Sequence, residues 1–121
     1  MTLELTSKLE QVTGIDNPPA GHSAGDVLIF TESLLDSSGS VVGRDAAVCT
    51  GLFDETMLCN GVYALSGGQI MVQLLQPGLT GTYDQPITGG TGQFAGATGT
   101  VTVVQGASGD RFRFRIRVPT G

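Results

Sequence analysis

Apolar and polar residues alternate along most of this chain, and the alternation breaks at clusters of Gly, Pro, Ser, Asn and Asp. The clearest example is Arg111–Val118. Arg111, Arg113, Arg115 and Arg117 interleave with Phe112, Phe114, Ile116 and Val118 without a break. Period two puts all four guanidinia on one face of a strand and the apolar groups on the other. The apolar face is expected inward and the arginines outward, against acidic neighbours, because burying four unpaired cations would cost several kcal/mol each. The same pattern predicts strands over Thr2–Val12, Val27–Leu35, Val41–Leu52, Met57–Leu65, Gln69–Leu75 and Thr100–Val104. Turn chemistry separates them at Asn17-Pro18-Pro19-Ala20-Gly21, Asp36–Ser40, Phe53-Asp54-Glu55, Ser66-Gly67-Gly68, Pro77-Gly78 and Ser108-Gly109-Asp110. Seven strands at this spacing describe a single-domain, all-β meander able to close into a small barrel.

Ile87–Gly99 is the stretch that would close it. Gly89, Gly90, Gly92, Gly96 and Gly99 exclude a long helix and suit sharp bends where backbones approach closely. The hairpin centred on Asp54 sets Cys49 opposite Cys59, so both sulfurs share one face. A cross-strand disulfide is geometrically possible there, whereas a reducing compartment would keep two thiols. Asp45, Ala47 and Gly51 share the face of Cys49, and Met57, Gly61, Tyr63 and Leu65 share that of Cys59. Small residues beside a few polar ones suit the wall of a cavity.

Composition narrows the function classes. Charged residues make up only 14%, with six Lys plus Arg against eleven Asp plus Glu and a net charge of −5. That balance argues against a nucleic-acid partner. No apolar run reaches the ~18–20 residues of a membrane-spanning helix, and Met1–Thr6 has no basic start or apolar core of a signal peptide. A cytoplasmic location and no membrane partner are therefore expected. His22 is the single histidine and has no ligand spacing to the cysteines, so no metal site is expected. Gly90-x-Gly92-x-x-x-Gly96 lacks the following helix and the phosphate-binding lysine of a nucleotide loop, and no Gly-x-Ser-x-Gly elbow occurs.

A family resemblance is carried by four segments in order. They are Gly25-Asp26-x-x-x-Phe30, Val42-Gly43-x-x-x-x-x-Cys49, Gly68-x-Ile70-x-Val72-Gln73, and Ile87-Thr88-Gly89-Gly90-Thr91-Gly92-x-Phe94-x-Gly96-Ala97-x-Gly99. Across Gly25–Val104 the chain resembles the allene oxide cyclase and dirigent barrel superfamily. The resemblance implies an eight-stranded antiparallel barrel with a central apolar cavity, usually oligomeric, so a homodimer or homotrimer is expected. The eighth strand would lie in Gly78–Pro86 or come from splitting Thr2–Asp16. By the same resemblance, Cys49 stands at a cavity position, Gln73 matches a glutamine of a Val-Gln-Gly segment, and Glu4-x-Thr6 is the nearest match to a catalytic Glu-x-Asn pair, with Glu10 as a rival. Thr6 in place of the asparagine moves the expectation from allene oxide toward bacterial relatives that include pericyclic cyclases and Diels–Alder catalysts.

The expected function is a cofactor-free cyclase or isomerase that folds a hydrophobic polyketide or fatty-acid-derived intermediate inside the barrel. Conformational restriction alone can supply ~7–11 kcal/mol in such reactions. Asp45 is the first candidate for acid–base help, with Glu4 and Glu32 beside it; Cys49, Cys59, Met57, Tyr63, Gln73 and Phe30 are candidate substrate contacts. The alternative is a non-catalytic dirigent-like or lipocalin-like barrel that holds a small apolar ligand.

Overall fold

The computed structural model describes residues 1–76 and 81–119. Eight strands run in chain order around a closed, wholly antiparallel barrel: β1 (Thr2–Ile15), β2 (Val27–Leu35), β3 (Val41–Gly51), β4 (Met57–Leu65), β5 (Gly68–Gln76), β6 (Thr82–Gly90), β7 (Thr98–Val104) and β8 (Arg111–Arg117). The sequence accounts for seven of these. The eighth is β6, in the first of the two places proposed for it. Its alternation was hidden by Pro86, which pairs with Thr100 of β7 at a level where β6 has no ladder partner on β5. There a missing N–H costs no β5–β6 ladder bond. The turn expected at Pro77-Gly78 lies outside the described residues.

Inward-facing residues fill the half of the barrel nearest the start of β1 and the end of β8. Leu34, Ile70, Val101, Val103 and Phe114 have no accessible surface there, and Leu5, Phe112 and Ile116 are also buried. The glycine-rich connection forms a short 3-10 turn over Gly92–Phe94 and buries Phe94 in this core. It fits because Gly90 is bare: a Cβ there would stand 2.2 Å from the Phe94 carbonyl oxygen. β8 alternates as expected, with Phe112, Phe114 and Ile116 buried and all four arginines exposed. Tyr63 packs edge-on against Phe112 and Phe114, at centroid distances of 5.5 and 4.9 Å.

The opposite half is looser. β1 pairs with β8 only through Thr2–Thr6, and its remaining length follows β2 alone past a bulge at Leu9–Gln11. The β5–β6 ladder among the described residues uses only Ile70, Met71 and Val72 of β5. Among the described residues the wall therefore parts toward this end. One lip is β1–β5, the other β6–β8, and the mouth lies between them.

Candidate active site

One inward row crosses the first lip: Leu9, Glu32, Asp45, Tyr63 and Ile70, each directly opposed to the next. The register thus sets Glu32 against Asp45 on the inner surface. Both are deeply buried, at 7% and 5% exposure, and their side chains hydrogen-bond each other. Two carboxyls can do so only if one carries a proton, and burial opposes a second negative charge. Burial, then the charge of Glu32, pushes the Asp45 carboxyl up to about 9. Burial also raises Glu32, partly offset by hydrogen bonds from Ser7 and Asp45. At neutral pH the pair thus shares one proton.

The next elements complete the cluster. Ser7 lies on β1 and is held by Asp110, whose N–H donates to Ser7 Oγ at 3.0 Å and whose carbonyl accepts from Ser7 N–H at 2.9 Å. Gly109 makes this approach possible. Its φ is +137°, and a Cβ would lie 2.1 Å from the Ser7 carbonyl oxygen. Across the interior, Tyr63 OH donates to Gln85 Oε1 at 2.5 Å. Burial lifts the Tyr63 phenol well above its usual range. Burial, with the charges of Asp110, Glu32 and Asp45, lifts Tyr83 to about 12. Both tyrosines are neutral donors at physiological pH.

These groups surround a pocket of about 30 Å³, lined by Phe30, Glu32, Asp45, Tyr63, Tyr83, Gln85, Asp110 and Phe112 and floored by Ala47 and Gly61. That is room for about two waters. The hollow is narrower and more polar than the expected apolar cavity, because Tyr63, Phe112 and Phe114 plug the barrel above it. Toward the mouth the inner surface turns apolar. Leu9 and Val12 are on the same face as Glu32 and Phe30 and are 55% and 53% exposed. A larger groove of about 410 Å³ runs outside the barrel along Glu4, Arg111, Arg113 and Arg115. It contains no buried titratable group, so the chemistry points to the inner pocket.

Of the residues expected from sequence, Asp45, Glu32, Tyr63 and Phe30 meet in this pocket. Glu4 does not: it faces outward and pairs with Arg113 at 2.6 Å. Its rival Glu10 is also outside, accepting from Ser33 at 2.7 Å and pairing with Arg44. Gln73 is exposed on the outer wall and donates to Asn60 at 2.8 Å, because β5 turns its even positions inward. Met57 faces in beside Gly51 and Gln76, at the end of the barrel away from the acid pair. Cys49 and Cys59 are opposed and buried as expected, but joined as a disulfide rather than held as thiols. Their bond sits between Leu28 and Leu74, a row nearer the mouth than Ala47 and Gly61. Ser7, Tyr83, Gln85 and Asp110 went unseen. Tyr83 and Gln85 flank Asp84 in an alternation that Pro86 masked, and Asp110 sat in what reads as an ordinary turn.

Among the described residues no group of His, Cys, Asp and Glu could hold a metal ion, and no helix is long and apolar enough to cross a membrane. No family model and no curated protein matches the chain, so the allene oxide cyclase resemblance rests on its motifs alone. Solved structures do match. A pyocyanin demethylase is 28% identical, with a TM-score of 0.87 over 97% of this chain and all of the other. AbnU, an exo-specific intermolecular Diels-Alderase, is 14% identical with a TM-score of 0.75 over 96% of both chains. The Diels-Alderase AbmU from Streptomyces koyangensis is 15% identical with a TM-score of 0.77, over 98% of this chain and 64% of its own. The two Diels-Alderases share the barrel fold with this chain.

Proposed function

We propose that this barrel is an enzyme of small-molecule natural-product chemistry, a cyclase or isomerase. In this reading a hydrophobic, unsaturated substrate rests its body on the apolar mouth and places one heteroatom in the polar pocket. The observation that carries the reading is the Glu32–Asp45 pair, two carboxyls sharing one proton inside the barrel. A structural core gains nothing from such a pair, since apolar residues of similar volume stabilise as well or better. A proton retained at neutral pH is what a general acid requires, and a positioned acid contributes roughly 10²–10⁴-fold. Tyr63 and Gln85 orient the substrate's polar group. The mouth excludes water from its body, and confinement selects the reactive conformer. No step in this scheme calls on a cofactor.

The barrels of the matched Diels-Alderases support ring formation as the reaction. The pyocyanin demethylase supports a second one, proton-assisted chemistry on a planar nitrogen heterocycle, because that likeness spans both chains almost completely. Both use the same acid pair. The test is incubation of the purified protein with two substrate sets, linear polyenes bearing a dienophile and N-methylated aromatic heterocycles, followed by mass spectrometry. The reading expects product in one set above the rate in buffer, and loss of that excess in Asp45→Asn. Rates equal to buffer throughout would leave a binding barrel, the non-catalytic alternative.

A further inference from the structure

The charges of this molecule are sorted by the barrel wall. All six Lys and Arg side chains are exposed, four of them on the outside of β8, and His22 lies in the exposed β1–β2 connection. The pocket is lined by Glu32, Asp45 and Asp110, with Tyr63, Tyr83 and Gln85 as its other polar side chains and no basic group. Asp45 is 95% buried, yet its Oδ2 has no N–H or O–H donor from a described residue. A buried acceptor left in that state costs ~1–3 kcal/mol. Its missing partner is a donor, and the field around it selects a positive one. The pocket's size sets a further limit, since about 30 Å³ admits a group no larger than an ammonium tip. A divalent metal is a poor fit: calcium takes six to eight oxygens, and no metal-holding cluster occurs among the described residues.

We propose that the pocket takes the basic nitrogen of an apolar or aromatic amine, held as N–H⁺ against the Asp45 carboxyl while the ligand's body lies on Leu9, Val12, Phe30 and Tyr83. The inference rests on the reading of this pocket as the substrate site and names its substrate class. On entry as a free base, the nitrogen lone pair takes the proton of the carboxyl pair. The N–H bond forms as the carboxyl O–H bond breaks, leaving an ammonium beside two carboxylates, Glu32 and Asp45. Such a charge-assisted hydrogen bond is about twice as strong as a neutral one. Tyr83 and Phe30 line the same pocket, and an aromatic ring met face-on favours a cation. Carboxylate ligands are repelled by the same wall.

Three naphthalene probes of equal bulk test this by calorimetry at neutral pH: 1-naphthylmethylamine, 1-naphthalenemethanol and 1-naphthoate. The amine is expected to bind at least ~10-fold more tightly than the alcohol, with naphthoate weakest. In Asp45→Asn the preference for amine over alcohol falls to within about threefold. Glu32→Gln, which keeps the side chain's bulk, removes the pair by its other member and lowers the same ratio. Alcohol or naphthoate binding as well as the amine, or no binding of the amine, overturns the proposal. The wild-type ranking decides this whether or not either variant folds. Amine preference without turnover of any substrate would reject the enzyme reading and keep the inference. Turnover of neutral polyenes without amine preference would do the reverse.

Discussion

At the scale of the residue, the site reduces to two carboxyls that antiparallel register sets face to face. Asp45→Asn and Glu32→Gln each remove the shared proton while preserving volume. Either is expected to lower turnover by roughly 10²-fold or more, measured as product formed per enzyme. Glu4→Gln and Gln73→Ala lie on the outer wall, and turnover in both should match the parent protein. Their expected neutrality separates the geometry from the sequence expectation, which made both site residues. Asp45 and Glu32 were readable because parity put Asp45 beside Cys49 and Glu32 beside Phe30 and Leu34. Glu4 was misplaced because an early-strand motif match says nothing about parity. Leu3, Leu5 and Ser7 hold the inner positions of β1, so Glu4 must point out.

Elements hold the pair in place, and two of them can be tested without touching it. The Cys49–Cys59 bond closes a hairpin with a sequence separation of 10. Replacing both cysteines by serine removes a cross-link worth ~2–3 kcal/mol for a loop of that length on the chain-entropy estimate. A fall in the denaturant midpoint with little change in slope would show it. Such a bond forms in oxidising surroundings, so the thiol argument for a cytoplasmic location no longer applies. Gly109→Ala forces a side chain into positive φ and against the Ser7 carbonyl. It should destabilise the protein by about 1–3 kcal/mol and disturb Asp110 by displacing the β7–β8 turn. Strand pattern was legible wherever Gly, Pro or Asp marked the ends, as in β2, β3, β4 and β8. β6 was missed because a proline inside a strand reads as a stop. Its harmlessness depends on the β5–β6 pairing ending one residue away, at Ile87, which no local pattern records.

The whole molecule joins a plugged half to a parted one, and its pH response follows from the acids trapped between them. Asp45 binds its proton more tightly when folded, at about 9 against an ordinary 3.8, and Glu32 is shifted in the same direction. The folded state therefore holds more protons than the unfolded one between those limits. The pair's contribution to stability is full below about pH 4 and is lost as pH rises toward 9. Melting temperature should fall across that window, and Asp45→Asn should flatten the slope. Barrel closure was legible from the glycine-rich segment, but the narrowness of the hollow was not, because it depends on which inward aromatics meet at one level. The most direct measurement is a carbon-13 NMR titration of the Asp45 side-chain carboxyl in the intact protein. A carboxyl still protonated at pH 7, with its midpoint near 9, is the expected result. Complete ionisation of both Asp45 and Glu32 below pH 5 would contradict the shared proton, and with it the acid on which the proposed chemistry depends.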